Sequence, residues 1–287
     1  MNVLKLHVLN EKQKNEIDNL VRECLKEEKL ERTLYMESDI NYYINMDSFF
    51  LLYNEQKLVS VLTVFQPLKE EAEINAYTLP TERKKGYFDI LLSYAEAELC
   101  EFGVKKIIFV VEPESKSGMA ALKTYDTNYY KSEYLLKLDT DNISQELTHV
   151  DFNLNEITLD QRLDAVNLSH EIFDIELEEA FDIIDTAMAV ETMHCYGFYA
   201  GNSLLGICNV NYGENSASIF GFGIKPDDQG KGYGRILLNF ILVTVKKYKK
   251  SSIILQVGSE NKRAFLLYQS VGFQILKQYD YYEYFIE

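Results

Sequence analysis

The sequence predicts an α/β protein made of two copies of one domain, each a twisted mixed β-sheet flanked by helices. Three observations carry this prediction. The chain of 287 residues is 47% apolar, with abundant tyrosine and phenylalanine and only four prolines. That composition suits two folded domains with sizeable cores. An internal repeat runs through the chain in one unbroken register. Within each copy, helical and strand patterns alternate after an early hairpin.

The repeat is plainest when Pro80-Thr81-Glu82-Arg83-Lys84-Lys85-Gly86-Tyr87-Phe88-Asp89-Ile90-Leu91-Leu92 is placed over Pro226-Asp227-Asp228-Gln229-Gly230-Lys231-Gly232-Tyr233-Gly234-Arg235-Ile236-Leu237-Leu238. Pro, Lys, Gly, Tyr, Ile, Leu and Leu coincide without a gap. Further out, Tyr53 and Leu58 fall on Tyr199 and Leu204, and Ile107–Val111 falls on Ile253–Val257. A register kept across strand, turn and helix marks a duplicated domain. The polar stretch Asp139-Thr140-Asp141-Asn142 separates the copies, giving domains 1–140 and 141–287.

Each copy opens on two amphipathic helices, Glu11–Lys26 and Tyr35–Ile44 in the first, Asp160–Phe173 and Glu176–Val190 in the second. A hairpin follows, in the second copy Cys195–Tyr199 and Leu204–Val210 about a Gly201-Asn202 turn. Then come a strand (Ser218–Ile224), a Gly-rich turn and a helix (Gly234–Lys247). The strand Ser252–Val257 leads to a helix at Lys262–Ser270, and two terminal strands close the chain at Phe273–Leu276 and Tyr281–Ile286. Antiparallel hairpins beside strand–helix–strand units imply a mixed sheet with helices on both faces.

Charge narrows the partners. The formal net charge of -16 disfavours nucleic acid and anionic membrane, which call for clustered Lys and Arg. Cys24, Cys100, Cys195 and Cys208 are scattered without a Cys-x-x-Cys pair, as expected of reduced thiols in a cytoplasmic protein. Neither a signal peptide nor an apolar run of about eighteen residues is evident. His7, His149, His170 and His194 share no metal-ligand spacing, so no metal is expected. His194 and Cys195 are neighbours in a strand and point to opposite faces, which argues against a thiol nucleophile.

The sharpest feature is Gln229-Gly230-Lys231-Gly232-Tyr233-Gly234-Arg235, between a strand and an amphipathic helix. Glycines there permit positive φ and close approach of a ligand to the main chain. The turn's N–H groups and the first helical turn face one way, toward an anion such as a pyrophosphate. Lys231 and Arg235 add charge. A P-loop is excluded, because Gly232 stands where its hydroxyl residue is needed. The dinucleotide fingerprint is excluded because Gly230, Gly232 and Gly234 are spaced one residue short and no strand is expected at the domain's start. A plain structural loop is the competing reading of the turn taken alone. A second motif follows: Asn261-Lys262-Arg263-Ala264-Phe265-Leu266-Leu267-Tyr268, then Gly272-Phe273. Asn261, Ala264 and Tyr268 fall near one helical face; taken alone, Tyr268 reads as a core tyrosine.

Together, Gln-x-x-Gly-x-Gly after a strand ending in x-x-Pro and Asn-x-x-Ala-x-x-Leu-Tyr-x-x-x-Gly-Phe resemble the GNAT superfamily of N-acetyltransferases, over about Leu204–Phe273. The tandem arrangement is similar to that of mycothiol synthase-like members. The resemblance implies two GNAT-like domains, with acetyl-CoA as co-substrate. Gln229, Gly230, Lys231, Gly232, Tyr233, Gly234 and Arg235 would wrap its pyrophosphate. Phe222, Gly223 and Ile224 would lie along the pantetheine arm, with a bulge splaying the strand. Asn261 would hold the arm and Tyr268 would protonate the departing thiolate. The main-chain N–H of Ile224 or its neighbour is the candidate oxyanion donor.

Direct transfer from a thioester to an amine needs neither nucleophile nor metal. Glu178, Glu179, Asp182 and Glu214 are open alternatives for the base. No Lys or Arg occurs between Arg162 and Lys225, while Glu171, Asp174, Glu176, Glu178, Glu179, Asp182, Asp185 and Glu191 do. Glu178, Glu179 and Asp182 are therefore candidates for a lip that attracts a cationic small-molecule or peptide amine, with a merely solvated acidic face as the alternative. The first copy carries Lys84 and Phe88 at the positions of Gly230 and Gly234, and Ser115 and Leu122 at those of Asn261 and Tyr268. It reads as a degenerate copy that shapes the other's pocket. A non-catalytic acyl-CoA-binding or sensing protein is the alternative function, which Asn261 and Tyr268 argue against.

Overall fold

The computed structural model describes residues 1–30, 34, 36, 38, 41–66, 68–143 and 151–286. The chain forms two compact units, Met1–Ser132 with Gln278–Glu287, and Glu133–Lys277.

In the first unit, β1 (Asn2–Leu6), α1 (Glu11–Glu28), β2 (Phe49–Asn54), β3 (Lys57–Phe65), β4 (Glu71–Thr78), α2 (Tyr87–Glu101), β5 (Lys106–Val111) and α3 (Lys116–Leu122) follow one another. The expected first helix is there. Asn10 caps it in a reciprocal box with Gln13, and Lys29 ends it in the left-handed conformation. It buries Ile17, Leu20, Val21 and Cys24, an i, i+3, i+4, i+7 stripe. The second expected helix, Tyr35–Ile44, does not form where it is described: Asn41–Met46 is bend and turn, and Tyr35, Glu37, Asp39 and Ile40 lie outside the described residues. Asn41 explains the turn, since its buried Oδ1 accepts from Gln66 N and its Nδ2 donates to Ser48 Oγ. A side chain bonded to distant backbone competes with helix.

The second unit contains β6 (Asn128–Asp139) from Glu133 onward, β7 (Phe152–Glu156), α4 (Arg162–Phe173), α5 (Leu177–Ala189), β8 (Met193–Ala200), β9 (Ser203–Tyr212), β10 (Ser216–Ile224), α6 (Tyr233–Lys247), β11 (Ser252–Gly258) and α7 (Lys262–Ser270). One long strand, β12 (Gln274–Phe285), replaces the two short terminal strands expected. Strands also open both copies, β1 and β7, against the expectation that none would. Each is five residues long and pairs antiparallel with the next strand, β2 or β8. The dinucleotide reading still fails on glycine spacing.

The sheets have the same plan. The order is β1-β2-β3-β4-β5-β12 in the first unit and β7-β8-β9-β10-β11-β6 in the second. Only β4–β5 and β10–β11 are parallel, joined through α2 and α6. The sixth strand of each sheet comes from the other half of the sequence. Asp280–Phe285 pairs with Lys106–Val111, and Glu133–Asp139 pairs with Ser252–Gly258. The sequence divides at residue 140, whereas contacts divide the chain at Ser132/Glu133 and Lys277/Gln278, because these strands are exchanged.

In the second unit two apolar clusters lie on opposite sheet faces. Leu237, Leu238, Ile241, Leu242 and Val245 of α6 pack with Tyr268 and Phe273. Ala165, Val166 and Leu168 of α4 pack with Ala180, Ile184 and Ala187 of α5. Burying each large aliphatic side chain contributes about 1.5–3 kcal/mol. Among the described residues no helix is long and apolar enough to cross a membrane.

The strand exchange makes a prediction. Ending the chain after Lys277 removes the strand that hydrogen-bonds β5. Hydrogen exchange should then show protection of Lys106–Val111 reduced about tenfold or more, although those residues lie far away in sequence. Unchanged protection there would contradict the exchange.

Candidate active site

The site begins where a parallel pair comes apart. β10 and β11 are in register only from Ser216↔Ser252 to Ile219↔Leu255. Beyond that point β10 runs on to Ile224 and β11 to Gly258. From Phe220 to Ile224, the edge of β10 facing β11 therefore has no strand partner. On the other edge, Phe220 pairs with Asn209 and Gly223 with Ile207, so two residues of β10 stand against one of β9. This β-bulge is the one expected. It leaves Gly221, in the left-handed region at φ 54°, and Phe222 outside the ladder.

The turn follows β10 directly. Pro226–Asp228 forms a single 3₁₀ turn, and Gly230 and Gly232 then take φ of 81° and 86°. Gly232 is the N-cap of α6 and has no side chain to cap with. Among the described residues the N–H groups of Gly230, Lys231 and Gly232 donate no main-chain hydrogen bond. Those of Tyr233 and Gly234, in the first turn of α6, have no helical acceptor. This row of free donors at the positive end of a helix dipole suits a polyanion.

The side chains of the turn do different work. Gln229 Nε2 donates to Ile224 O (3.0 Å), and Gln229 Oε1 accepts from Arg263 Nη1 (3.1 Å). Gln229 thus ties the end of β10 to the start of α7. Lys231 is exposed and pairs with Asp228 at 2.7 Å, which raises its pKa. Arg235 has no ion pair among the described residues.

Asn261 is the N-cap of α7: its Oδ1 accepts from Ala264 N (3.1 Å), leaving the Nδ2 end for another acceptor. Seven residues on, Tyr268 is only 6% exposed, and its ring meets Phe222 (5.9 Å between centroids) and Phe273 (5.8 Å). Its hydroxyl has no hydrogen-bond partner among the described residues. Burial, and secondarily the nearby Cys208, push its pKa well above the ordinary tyrosine value. It therefore keeps its proton across the physiological range.

Two groups of sequence candidates lie away from this centre. Glu214 is in the β9–β10 turn, at the opposite end of β10 from the bulge, about 20 Å away by strand length. That removes it as a base for the slot. Glu178 and Asp182 are exposed on α5 and Glu179 is half-buried. α5 packs over β8 and β9, whereas α4 lies over β9 and β10, nearer the slot. Asp185, on the same helix, is engaged by Arg162. Cys195 is buried, and burial raises its pKa to about 12, so it is not a ready nucleophile. Among the described residues no group of three or more His, Cys, Asp or Glu side chains is placed to hold a metal ion.

One residue escaped the sequence reading. Asn209 is fully buried on β9, and neither its Nδ2 nor its Oδ1 has a hydrogen-bond partner among the described residues. Its Nδ2 lies 2.7 Å from the place where a Cβ on Gly221 would be. The bulge therefore needs glycine at 221 for both its φ and this amide. Asn209 and Asn211 both occur in this strand, so the sequence alone does not single out Asn209.

Residues 160–273 match the acetyltransferase (GNAT) family. A 59-residue stretch is 34% identical to the [ribosomal protein bS18]-alanine N-acetyltransferase of Escherichia coli. That stretch is 21% of this chain, and it spans 40% of the relative's length. Two solved structures share the fold along nearly the whole chain. One is a GCN5-related N-acetyltransferase from Sphaerobacter thermophilus (TM-score 0.78, 13% identity, 99% of this chain and 96% of that one). The other is a tandem GNAT protein from the clavulanic acid biosynthesis pathway (TM-score 0.71, 14% identity, 100% and 98%). The family match falls within the second unit, and the chain as a whole shares its fold with both solved structures, one of them a tandem GNAT protein.

The retained proton makes a prediction about pH. A tyrosine with a raised pKa stays protonated above about 10, where a free tyrosine ionises. The alkaline limb of kcat should therefore not fall at about pH 10 through loss of this proton. A Tyr268-dependent decline below that pH, absent from Tyr268→Phe, would count against the assignment.

Proposed function

We propose that the second unit transfers an acetyl group from acetyl-CoA directly to an amine. One observation carries the reading. The free N–H row at Gly230–Gly234 leads straight into the slot between β10 and β11, and Tyr268 lies beside Phe222 at that slot. An acyl carrier with a pyrophosphate and a long amide-bearing arm fits both parts.

Acetyl-CoA supplies an activated acyl group, so this chain has to bind, align and move protons. The N–H groups of the turn hold the pyrophosphate, with Arg235 adding charge from the side. The unpaired edge of β10 offers main-chain groups to the arm. The Nδ2 of Asn261 supports it from α7. An N–H at the bulge stabilises charge developing on the acyl oxygen. Tyr268 gives its proton to the departing thiolate. The residue or water that takes the amine's proton is unassigned.

For the acceptor, Glu171, Asp174 and Glu176, about the end of α4 that lies against Gly223, favour a cationic amine, either a small molecule or a peptide terminus. The bS18-alanine acetyltransferase, whose name gives a protein substrate, makes a peptide acceptor a natural member of the test set. A cytoplasmic location follows from the reduced, unpaired cysteines and the need for acetyl-CoA. All four cysteines are free in the structure.

Three measurements test the reading. A panel of amines is incubated with acetyl-CoA and free thiol is read out; Tyr268→Phe should lower kcat about 10²-fold or more with little change in CoA affinity. Full turnover in that variant would reduce the hydroxyl to a structural role. In calorimetry, Gly232→Glu should abolish CoA binding, because it puts a carboxylate into the cradle and a side chain at φ 86°. Unchanged affinity in the folded variant would remove the turn from the site. Polyamines and lysine-like amines should outpace neutral and anionic amino acids, with the margin shrinking as salt rises. A preference for an anionic acceptor would contradict the acidic lip.

A further inference from the structure

The first unit has its own splayed pair. β4 and β5 are in register only from Glu71↔Lys106 to Ile74↔Phe109, and beyond that they part around a cavity of about 490 Å³. Its apolar wall includes Ile74, Tyr87, Phe109 and Leu122. β4 has no bulge, since its register with β3 is continuous.

The turn next to this cavity keeps the backbone of its counterpart but reverses the charge at one position in the first turn of the helix that follows. Lys84 holds φ 62° and Gly86 holds φ 76°, matching Gly230 and Gly232, and α2 begins at Tyr87 as α6 does at Tyr233. Asp89, however, stands where the second copy has Arg235. It lies in the first turn of α2, so a carboxylate already occupies the positive end of that helix, and Tyr125 donates a hydrogen bond to it. Phe88, at the position of Gly234, turns its ring toward Phe109 and Tyr125. A pyrophosphate here would meet a carboxylate instead of an arginine.

The polar lining indicates what the cavity does accept. Glu28, Glu82, Asp89 and Glu112 line it, against Arg83 and Lys84. With Lys85 paired to Glu82, that is still four acids to three bases. The Glu28 carboxylate is fixed in place by Arg83 Nη1 (2.7 Å), Ser115 Oγ (2.8 Å) and Ser117 N (3.2 Å). Burial pushes its pKa up, but bonds from Ser117 and Ser115 and the Arg83 charge outweigh this and keep it ionised. Asn75 is a second, independent feature. It lines the cavity, is 8% exposed, and its carboxamide has no hydrogen-bond partner among the described residues. The amide opens onto the cavity, where a polar group of a bound molecule can pair with it. In the register that places Pro80 on Pro226, Asn75 falls on Gly221 and Thr63 on Asn209. Both copies thus put one unpartnered amide beside the splay, from opposite strands.

The geometry points to this cavity as a binding site for a small molecule with an apolar body and a cationic nitrogen. The nitrogen faces Glu28 and Asp89, and a polar group of the ligand completes Asn75. The site lies wholly within the first unit, so it stands or falls separately from acetyl transfer in the second.

The test uses the full chain with ¹³C-labelled isoleucine and leucine methyls. Ile74 and Leu122 report on this cavity, and Leu267, which lies against Gly234, reports on the other site. The probes are 2-phenylethylamine, 2-phenylethanol, phenylacetate and CoA. The amine should shift Ile74 and Leu122 saturably, with affinity about tenfold or more above the alcohol and higher still above the carboxylate. CoA should move Leu267 and leave Ile74 and Leu122 in place. Asn75→Leu should weaken the amine about tenfold, and Ala121→Phe, which fills the cavity, should abolish the shifts. The proposal is overturned if CoA saturates the Ile74 and Leu122 shifts. Equal binding of alcohol or carboxylate, or no saturable shift at about 10 mM amine, also overturns it. So do shifts that survive Ala121→Phe. Should a variant fail to fold, the probe series on the unsubstituted chain decides.

Discussion

The structure turns on the point where two parallel strands stop bonding to each other. A parallel ladder satisfies every main-chain group along the shared edge, and a ligand can enter only where that ladder ends. In the second unit it ends after Ile219 and Leu255. The bulge at Gly221–Phe222 then turns β10 away, the 3₁₀ turn carries the chain out, and Gly232 starts α6 with its N–H groups free. Gln229 fixes this geometry by joining Ile224 to Arg263. The free N–H row and the unpaired edge of β10 both follow from one broken strand pairing.

The first unit shows which parts of that arrangement recur and which do not. The splay and the left-handed turn persist there, even with Lys84 in place of glycine. A lysine at φ 62° is strained, so the surrounding structure imposes the turn whatever residue stands in it. Ser115 caps α3 as Asn261 caps α7, so the cap is also architectural. The bulge, the free cation at 235 and the tyrosine at 268 are what the first copy lacks. Phe88 stands at the position of Gly234. Its ring joins Phe109, Tyr125 and Tyr284 in an aromatic cluster at the splay.

Local chemistry was legible in the sequence. Glycine spacing, capping and apolar periodicity act over a few residues, so α6, β11 and α7 were read to within a residue. Long-range pairing was not legible. β1 and β7 are short, poorly buried strands that exist because β2 and β8 offer them an edge. The helix expected at Tyr35–Ile44 gave way, in its described part, to a turn pinned by Asn41 and Gln66, 25 residues apart in sequence. Asn209 is conspicuous only once its amide is seen against Gly221, a contact that the bulge creates.

The same distinction explains the division of the chain. A repeat locates copies, but a compact unit is defined by which strands complete its sheet. Asp280–Phe285 supplies the sixth strand of the first sheet, so that sheet cannot close until the last residues of the chain are in place. β6 does the same for the second sheet from the end of the first copy. Each half therefore leaves an open strand edge until the other half delivers its strand, and open edges are prone to mispairing. Exchange makes completion of one sheet depend on the sequence of the other copy. That dependence gives the first copy a structural role of its own: without it, the second sheet would lack the strand beside β11.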